Sequence, residues 1–166
     1  IFHALRCIDY ENTETVVRIN GLDTPFGQDD VEAMVRAQPD IIRLPKTEKP
    51  EDIESIDELL TKVETQAGVE VGKIKLFAAI ESARGVVNAY RIASSSERLV
   101  GIAFGAEDFV TNMQTSRSTS GEELFTARQE ILLAARAAGI HAVDTVFSDL
   151  SDDEGFRSEV QAIKRM

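Results

Sequence analysis

Apolar residues fall along this chain in short β-branched runs, separated by stretches in which they recur every three or four residues. Thr15-Val-Val-Arg-Ile-Asn20, closed by Asn20-Gly21, predicts a strand. Asp29 to Gln38 predicts a short helix, with Asp29 or Asp30 near its start and Pro39 as its stop. Asp40 to Lys46 predicts a second strand. The clearest helical stripe is Ile53, Ile56, Leu60, Val63 and Ala67 within Glu51 to Ala67, which Gly68 ends. A third strand is expected over Lys75 to Glu81, a helix over Val86 to Ala93 and a fourth strand over Leu99 to Phe104. A long helix follows over Glu122 to Ala138, stopped by Gly139, and then a fifth strand over Ile140 to Phe147. Ile1 to Cys7 reads as the end of a helix. A last helix from Asp152 is expected to turn Phe156, Val160 and Ile163 inward.

Five βα units in succession, with largely apolar strands, imply a parallel sheet covered by helices. A doubly wound sheet and an eight-stranded barrel both satisfy this pattern. No linker or low-complexity tract interrupts it, so residues 1–166 read as a single domain; the serine-rich stretches at Ser94-Ser95-Ser96 and Ser116 to Ser120 read as loops. With 166 residues, 43 % of them hydrophobic, the chain can build a sizeable core. Its 18 Lys and Arg against 29 Asp and Glu leave a net charge of −11, which argues against nucleic acid as a partner. No apolar run approaches the roughly 20 residues that span a bilayer. With no signal peptide visible either, the cytoplasm is the default location. Cys7 is the single cysteine, so no intrachain disulfide can form, and it is expected to pack in the core.

In folds of this class chemistry gathers where strands end and βα loops begin. Glu81 ends the third strand, after Leu76-Phe-Ala-Ala-Ile80, and Asp108 follows the fourth, in Gly101-Ile-Ala-Phe-Gly-Ala-Glu-Asp108. A carboxylate beside an apolar core is costly unless it is paired or bound to a metal. Consecutive parallel strands are usually neighbours, so Glu81 and Asp108 can converge on one ion. Two hard oxygen donors without His or Cys favour Mg2+ over zinc. Arg18 lies on the strand face opposite Val17 and Ile19, where its fork suits a carboxylate or a structural ion pair. Lys46 ends the second strand and is read as a structural ion pair before a pocket cation. Glu107 could line the pocket or be solvated, and the Gly105-Ala106-Glu107-Asp108 turn before a helix could offer backbone N–H groups to an anion. His3 and His141 lack ligand spacing.

At these segments the chain resembles a known family. Val17-Arg-Ile-Asn20, Arg43-Leu-Pro-Lys-Thr47, Ala79-Ile-Glu-Ser82 with Gly85, Gly101 to Asp108 and Asp144-Thr-Val-Phe-Ser-Asp149 are similar, in order, to the successive motifs of the citrate lyase beta-subunit family. The Ile-Glu-Ser and Gly-x-x-Asp pieces are also shared with malyl-CoA lyases and the wider hydroxy-oxo-acid aldolases. The resemblance implies a (β/α)8 TIM barrel of which this chain holds about five central βα units. Such a barrel takes about 250 residues, so a partial domain lacking strands at both ends is expected, and the segment alone could be inactive. It further implies Glu81 and Asp108 as metal carboxylates for Mg2+, with Arg18 as the catalytic, substrate-gripping arginine. Ala106 and Glu107 are expected beside the substrate. The implied reaction is cleavage of a citryl thioester to oxaloacetate and an acetyl thioester. The implied partners are the alpha subunit and the acyl carrier protein (gamma) subunit, within a homo-oligomeric assembly. Two alternatives stand beside it: a stand-alone lyase for a CoA thioester such as citryl-CoA or malyl-CoA, and a non-catalytic fragment or assembly subunit.

Overall fold

The computed structural model describes residues 1–166. Its strands β1 (Val16–Arg18), β2 (Ile41–Leu44), β3 (Lys75–Ile80), β4 (Leu99–Phe104) and β5 (His141–Val143) form one sheet in chain order, each parallel to the next. A doubly wound sheet reverses its strand order at a switch point. Here the order runs one way only, as in a barrel wall. Right-handed crossovers taken always in the same direction lay every helix on one face.

Burial agrees. Val17, Ile19, Ile42, Leu44, Leu76, Ala78, Ile80, Ile102 and Phe104 join helix residues such as Val31, Ile56, Leu60 and Ile131 in one cluster. The alternating positions point to the other, inner face; Ile41, Ala79 and Ala103 are buried there without belonging to that cluster. The chain thus forms five consecutive βα units of a barrel.

The connecting helices follow their sequence signals. Helix α2 (Gly27–Ala37) starts two residues before Asp29 and ends on Gln38 in the left-handed region (φ 57°). In α3 (Pro50–Ala67) proline occupies the first turn, Asp52 accepts from the N–H groups of Glu48 (2.9 Å) and Lys49 (3.2 Å), and Gly68 closes the helix at φ 67°. The helix expected over Val86 to Ala93 is two pieces, α4 (Ala83–Val87) and α5 (Ala89–Ala93), joined at Asn88. The Asn88 amide donates to the Glu48 carbonyl at 2.9 Å. Helix α6 (Ala106–Asn112) follows β4, and a 3-10 turn at Glu122–Leu124 leads into α7 (Phe125–Ala138).

Three expectations are corrected. β5 stops at Val143, because Asp144 turns to Arg128 and Thr145 to the N–H of Ala106. Helix α8 (Asp153–Ile163) buries no residue, and Phe156 and Val160 are exposed; it lies past the last strand, held by Glu159 bonding Arg128 and Arg117 and by Phe156 against Phe147 (5.7 Å). Cys7 is exposed, since α1 (Phe2–Cys7) buries none of its residues. No helix is long and apolar enough to cross a membrane.

The N-terminal ends of the strands are tied by satisfied polar latches. Before β1 and β2, the N–H and Oγ1 of Thr15 both donate to Asp40 (2.7 Å each), and these bonds hold the Asp40 carboxyl below its usual range. Before β3 and β4, Arg98 bonds Glu64, Asp57 and the Ile74 carbonyl, while Glu64, fully buried, also accepts from the N–H groups of Gly72 (2.9 Å) and Ile74 (3.3 Å). Removing one member of a buried ion pair strands the other charge, at a cost of about 3–5 kcal/mol. Arg98→Met in the full-length protein should therefore lower stability by about that amount in urea unfolding, without altering any group at the opposite rim.

Candidate functional site

At the C-terminal rim the geometry is set by what β4 lacks. Its inner face reads Gly101, Ala103, Gly105, and each of the two glycines lies under a side chain of β3. A Cβ on Gly101 would sit 2.2 Å from the Phe77 ring, and one on Gly105 would sit 2.6 Å from Glu81 Cγ. The ladder continues past the strand ends, Gly105 N–H donating to the Ile80 carbonyl at 2.9 Å. Glu81 is thereby laid across Gly105, beside the first turn of α6 that carries Asp108. The other end of α6 is tied down by Asn112, whose Oδ1 accepts from the Ala83 N–H at 3.0 Å.

A clasp between the β2 and β3 loops fixes the remaining wall. Thr47 N–H donates to the Ala79 carbonyl (2.9 Å). Ser82 caps α4 by accepting from Gly85 N–H (3.1 Å) and donates to Glu48 at 2.6 Å. The Thr47 carbonyl passes so close to Gly85 that a Cβ there would lie 2.7 Å from it, which explains the glycine. This clasp holds Lys46, at the end of β2, in the left-handed region (φ 49°), a strained conformation for a residue with a side chain.

Glu81 and Asp108 are brought together. Burial, then the like charge of the nearby Asp108 carboxylate, push the Glu81 carboxyl above its ordinary value. Arg43 and Lys46 oppose this. Lys46 makes no ion pair at contact distance, contrary to the structural pairing expected of it. Arg18 lies on the inner face of β1, in register with Arg43 on β2, and is likewise free of ion pairs. Glu107 turns elsewhere: its Oε1 accepts from Arg117 (2.8 Å) and Ser148 (2.6 Å), bonds that hold its carboxyl below the usual range. The N–H of Ala106 donates to Thr145 Oγ1 at 3.0 Å. His3 and His141 sit far from this rim, on α1 and at the start of β5.

Arg43 is the functional candidate that motif reading passed over. Its signal lay in the alternation itself, because Ile42 and Leu44 face the core and leave Arg43 inward. No group of three or more His, Cys, Asp or Glu side chains encloses an ion. Two adjacent carboxylates with open positions around them fit Mg2+, which retains several waters and binds through one or two carboxylates plus a ligand.

With its parallel barrel wall and a carboxylate pair on the C-terminal rim, the chain has the architecture of part of a (β/α) barrel with a candidate divalent-cation site. It belongs to the HpcH/HpaI aldolase/citrate lyase family, which it matches over residues 1–166. It is 52 % identical over 166 residues to the citrate lyase subunit beta of Leuconostoc mesenteroides subsp. cremoris, covering 100 % of this chain and 55 % of that one. The L-malyl-CoA/beta-methylmalyl-CoA lyase of Rhodobacter capsulatus is more distant, 35 % identical over 179 residues, covering 96 % of this chain and 56 % of its own. Among solved structures, the citrate lyase beta subunit of M. tuberculosis complexed with oxaloacetate and magnesium is similar with a TM-score of 0.72 and 32 % identity. That match covers 89 % of this chain and 61 % of that one. The chain spans about half the length of the curated relatives it matches.

Two substitutions test the site. Gly105→Ala should displace Glu81 and cost about 1–3 kcal/mol of stability by overpacking, and Mg2+ affinity measured by titration calorimetry should fall with it. Glu81→Gln tests the burial cost. A carboxyl whose pKa is raised on folding binds more protons folded than unfolded, so stability falls as pH rises from about 4.5 through its folded value. In chelator, Glu81→Gln should match the wild type well below pH 4.5 and exceed it in urea unfolding at neutral pH.

Proposed function

We propose that the full-length protein is a magnesium-dependent carbon–carbon lyase that cleaves a citryl thioester to oxaloacetate and an acetyl thioester, as the beta subunit of citrate lyase. The observation that carries this reading is the Glu81–Asp108 pair on the rim, faced by cations that no carboxylate of the chain neutralises in a close ion pair. The 52 % identity to a citrate lyase beta subunit supports it over the malyl-CoA reading, at 35 %.

On this reading Glu81 and Asp108 hold the ion. When bound, Mg2+ supplies Lewis-acid polarisation of the substrate's hydroxyl and carboxylate oxygens. Arg18 grips a substrate carboxylate through its planar fork and offsets negative charge as the bond to the acetyl unit breaks. Gly105 and the Ser82–Glu48 clasp keep the two carboxylates positioned, so little reorganisation is needed when substrate arrives. The thioester itself stabilises the departing enolate, so no organic cofactor is called for. The natural substrate would be carried by an acyl carrier protein (gamma) subunit, with an alpha subunit exchanging the acyl group.

The test is cleavage of citryl thioester by the full-length protein, on carrier protein and on CoA. Activity should vanish in chelator, return with Mg2+, and drop by at least about 100-fold in Glu81→Gln or Arg18→Met, as for loss of a group stabilising transition-state charge. Full activity in excess chelator would remove the ion from the mechanism, and faster turnover of malyl-CoA than of either citryl thioester would favour the malyl-CoA reading.

A further inference from the structure

We infer that Arg43 is a second carboxylate anchor, which with Arg18 selects an acyl group bearing two free carboxylates over one bearing a single carboxylate. The inference rests on the citryl reading above and names what in the site distinguishes that substrate.

Four observations carry it. Arg43 is half-buried on the inner face of β2, in register with Arg18 on β1 and Phe77 on β3. Adjacent strands are about 4.8 Å apart, so two inward guanidinium groups rise side by side on neighbouring strands. Neither has an ion-pair partner within this chain, and Arg43 Nε, on the inner strand β2, is buried with no hydrogen-bond acceptor. Arg43 also lies near enough to Glu81 for its charge to favour the ionised carboxyl.

Burying a guanidinium N–H without an acceptor costs free energy, and a second like charge beside it adds to the cost. Both penalties are relieved by an anion that enters between the arginines and the carboxylate pair. A structural role would leave Arg43 satisfied by the protein, as Arg98 and Arg128 are on the outer layers.

The chemistry of the candidate substrates separates them. A citryl thioester retains two carboxylates, one on the hydroxyl-bearing carbon and one on the adjoining methylene, whereas a malyl thioester retains one. The first carboxylate is taken up beside the ion and Arg18. The second needs another cation at a fixed distance, and Arg43 supplies it. The same arithmetic applies to products: oxaloacetate has two carboxylates and glyoxylate one; pyruvate, which is oxaloacetate without its second carboxylate, serves as the one-carboxylate probe.

The experiment measures equilibrium binding of oxaloacetate and of pyruvate to the full-length protein in saturating Mg2+, for wild type, Arg43→Met and Arg43→Lys. Charged hydrogen bonds of this kind correspond to roughly 10- to 100-fold in affinity. Arg43→Met should lose about that factor for oxaloacetate and less than about threefold for pyruvate, both measured in saturating Mg2+. Arg43→Lys, which keeps the charge but not the fork, should fall between and serves if the methionine variant does not fold. Equal losses for both ligands would make Arg43 only a support for the carboxylate pair and overturn the inference, as would unchanged oxaloacetate binding. Failure of the wild type to bind oxaloacetate at all would instead overturn the citryl reading on which the inference rests.

Discussion

Bringing the Glu81 carboxylate, at the end of an apolar strand, against a second carboxylate is the constraint on which the upper half of the molecule is built. Burial and Asp108 both disfavour its charge. The fold meets that cost with Arg43 and Lys46 on β2 and by clearing β4 of side chains, so that Glu81 can lie over Gly105. Each accommodation constrains another element. The Ser82–Glu48 and Thr47–Ala79 bonds join the loops that carry Lys46 and Glu81, and Lys46 accepts a left-handed backbone there. Asn112 then anchors α6, and with it Asp108, to the start of α4.

The two rims of the sheet treat charge in opposite ways. At the N-terminal rim Glu64 is fully buried and every one of its oxygens is bonded, while Arg98 serves Glu64, Asp57 and a carbonyl at once. Such a network rigidifies, and truncating it is expensive. At the C-terminal rim Arg18, Arg43 and Lys46 are left without close anionic partners, and two carboxylates press together. The C-terminal rim is the end at which a barrel of this class gathers its βα loops and binds ligands.

Much of this was legible in the sequence. Helix stops at Gly68 and Gly139 and the strand at Leu99–Phe104 came from local chemistry that tertiary structure did not override. The meeting of Glu81 and Asp108 followed from one rule, that consecutive parallel strands are neighbours. Strand order, which decides between barrel and doubly wound sheet, is not encoded in periodicity and needed the coordinates or the family resemblance. The misreadings of Phe156 and Val160, from a helical stripe, and of Cys7, from its residue type, share a cause: apolar character predicts burial only where a surface exists to receive it, and α1 and α8 flank the ends of the sheet. Glu107 could not be placed from its spacing either, because neighbours on a helix point about 100° apart, and Arg117, ten residues on, captures the one that turns outward. Arg43 was hidden among apolar residues, although the alternation that exposed Arg18 applied to it equally.

Charge balance at the rim narrows what the site can receive. Of the groups that this chain brings to the rim, Glu81 and Asp108 contribute two negative charges, and Arg18, Arg43 and Lys46 contribute three positive ones. On the proposed reading a divalent cation offsets the two carboxylates, which leaves the three side-chain cations to face the ligand. A malyl group, with one carboxylate, would leave Arg43, the half-buried member of the three, without an anion, and a buried unpaired charge is costly. A citryl group brings two, and the negative charge that develops on the departing thioester enolate, as it would with either substrate, then meets the third. Binding two charges in the ground state and meeting the third only as the bond breaks is the pattern by which a site favours the transition state over the substrate.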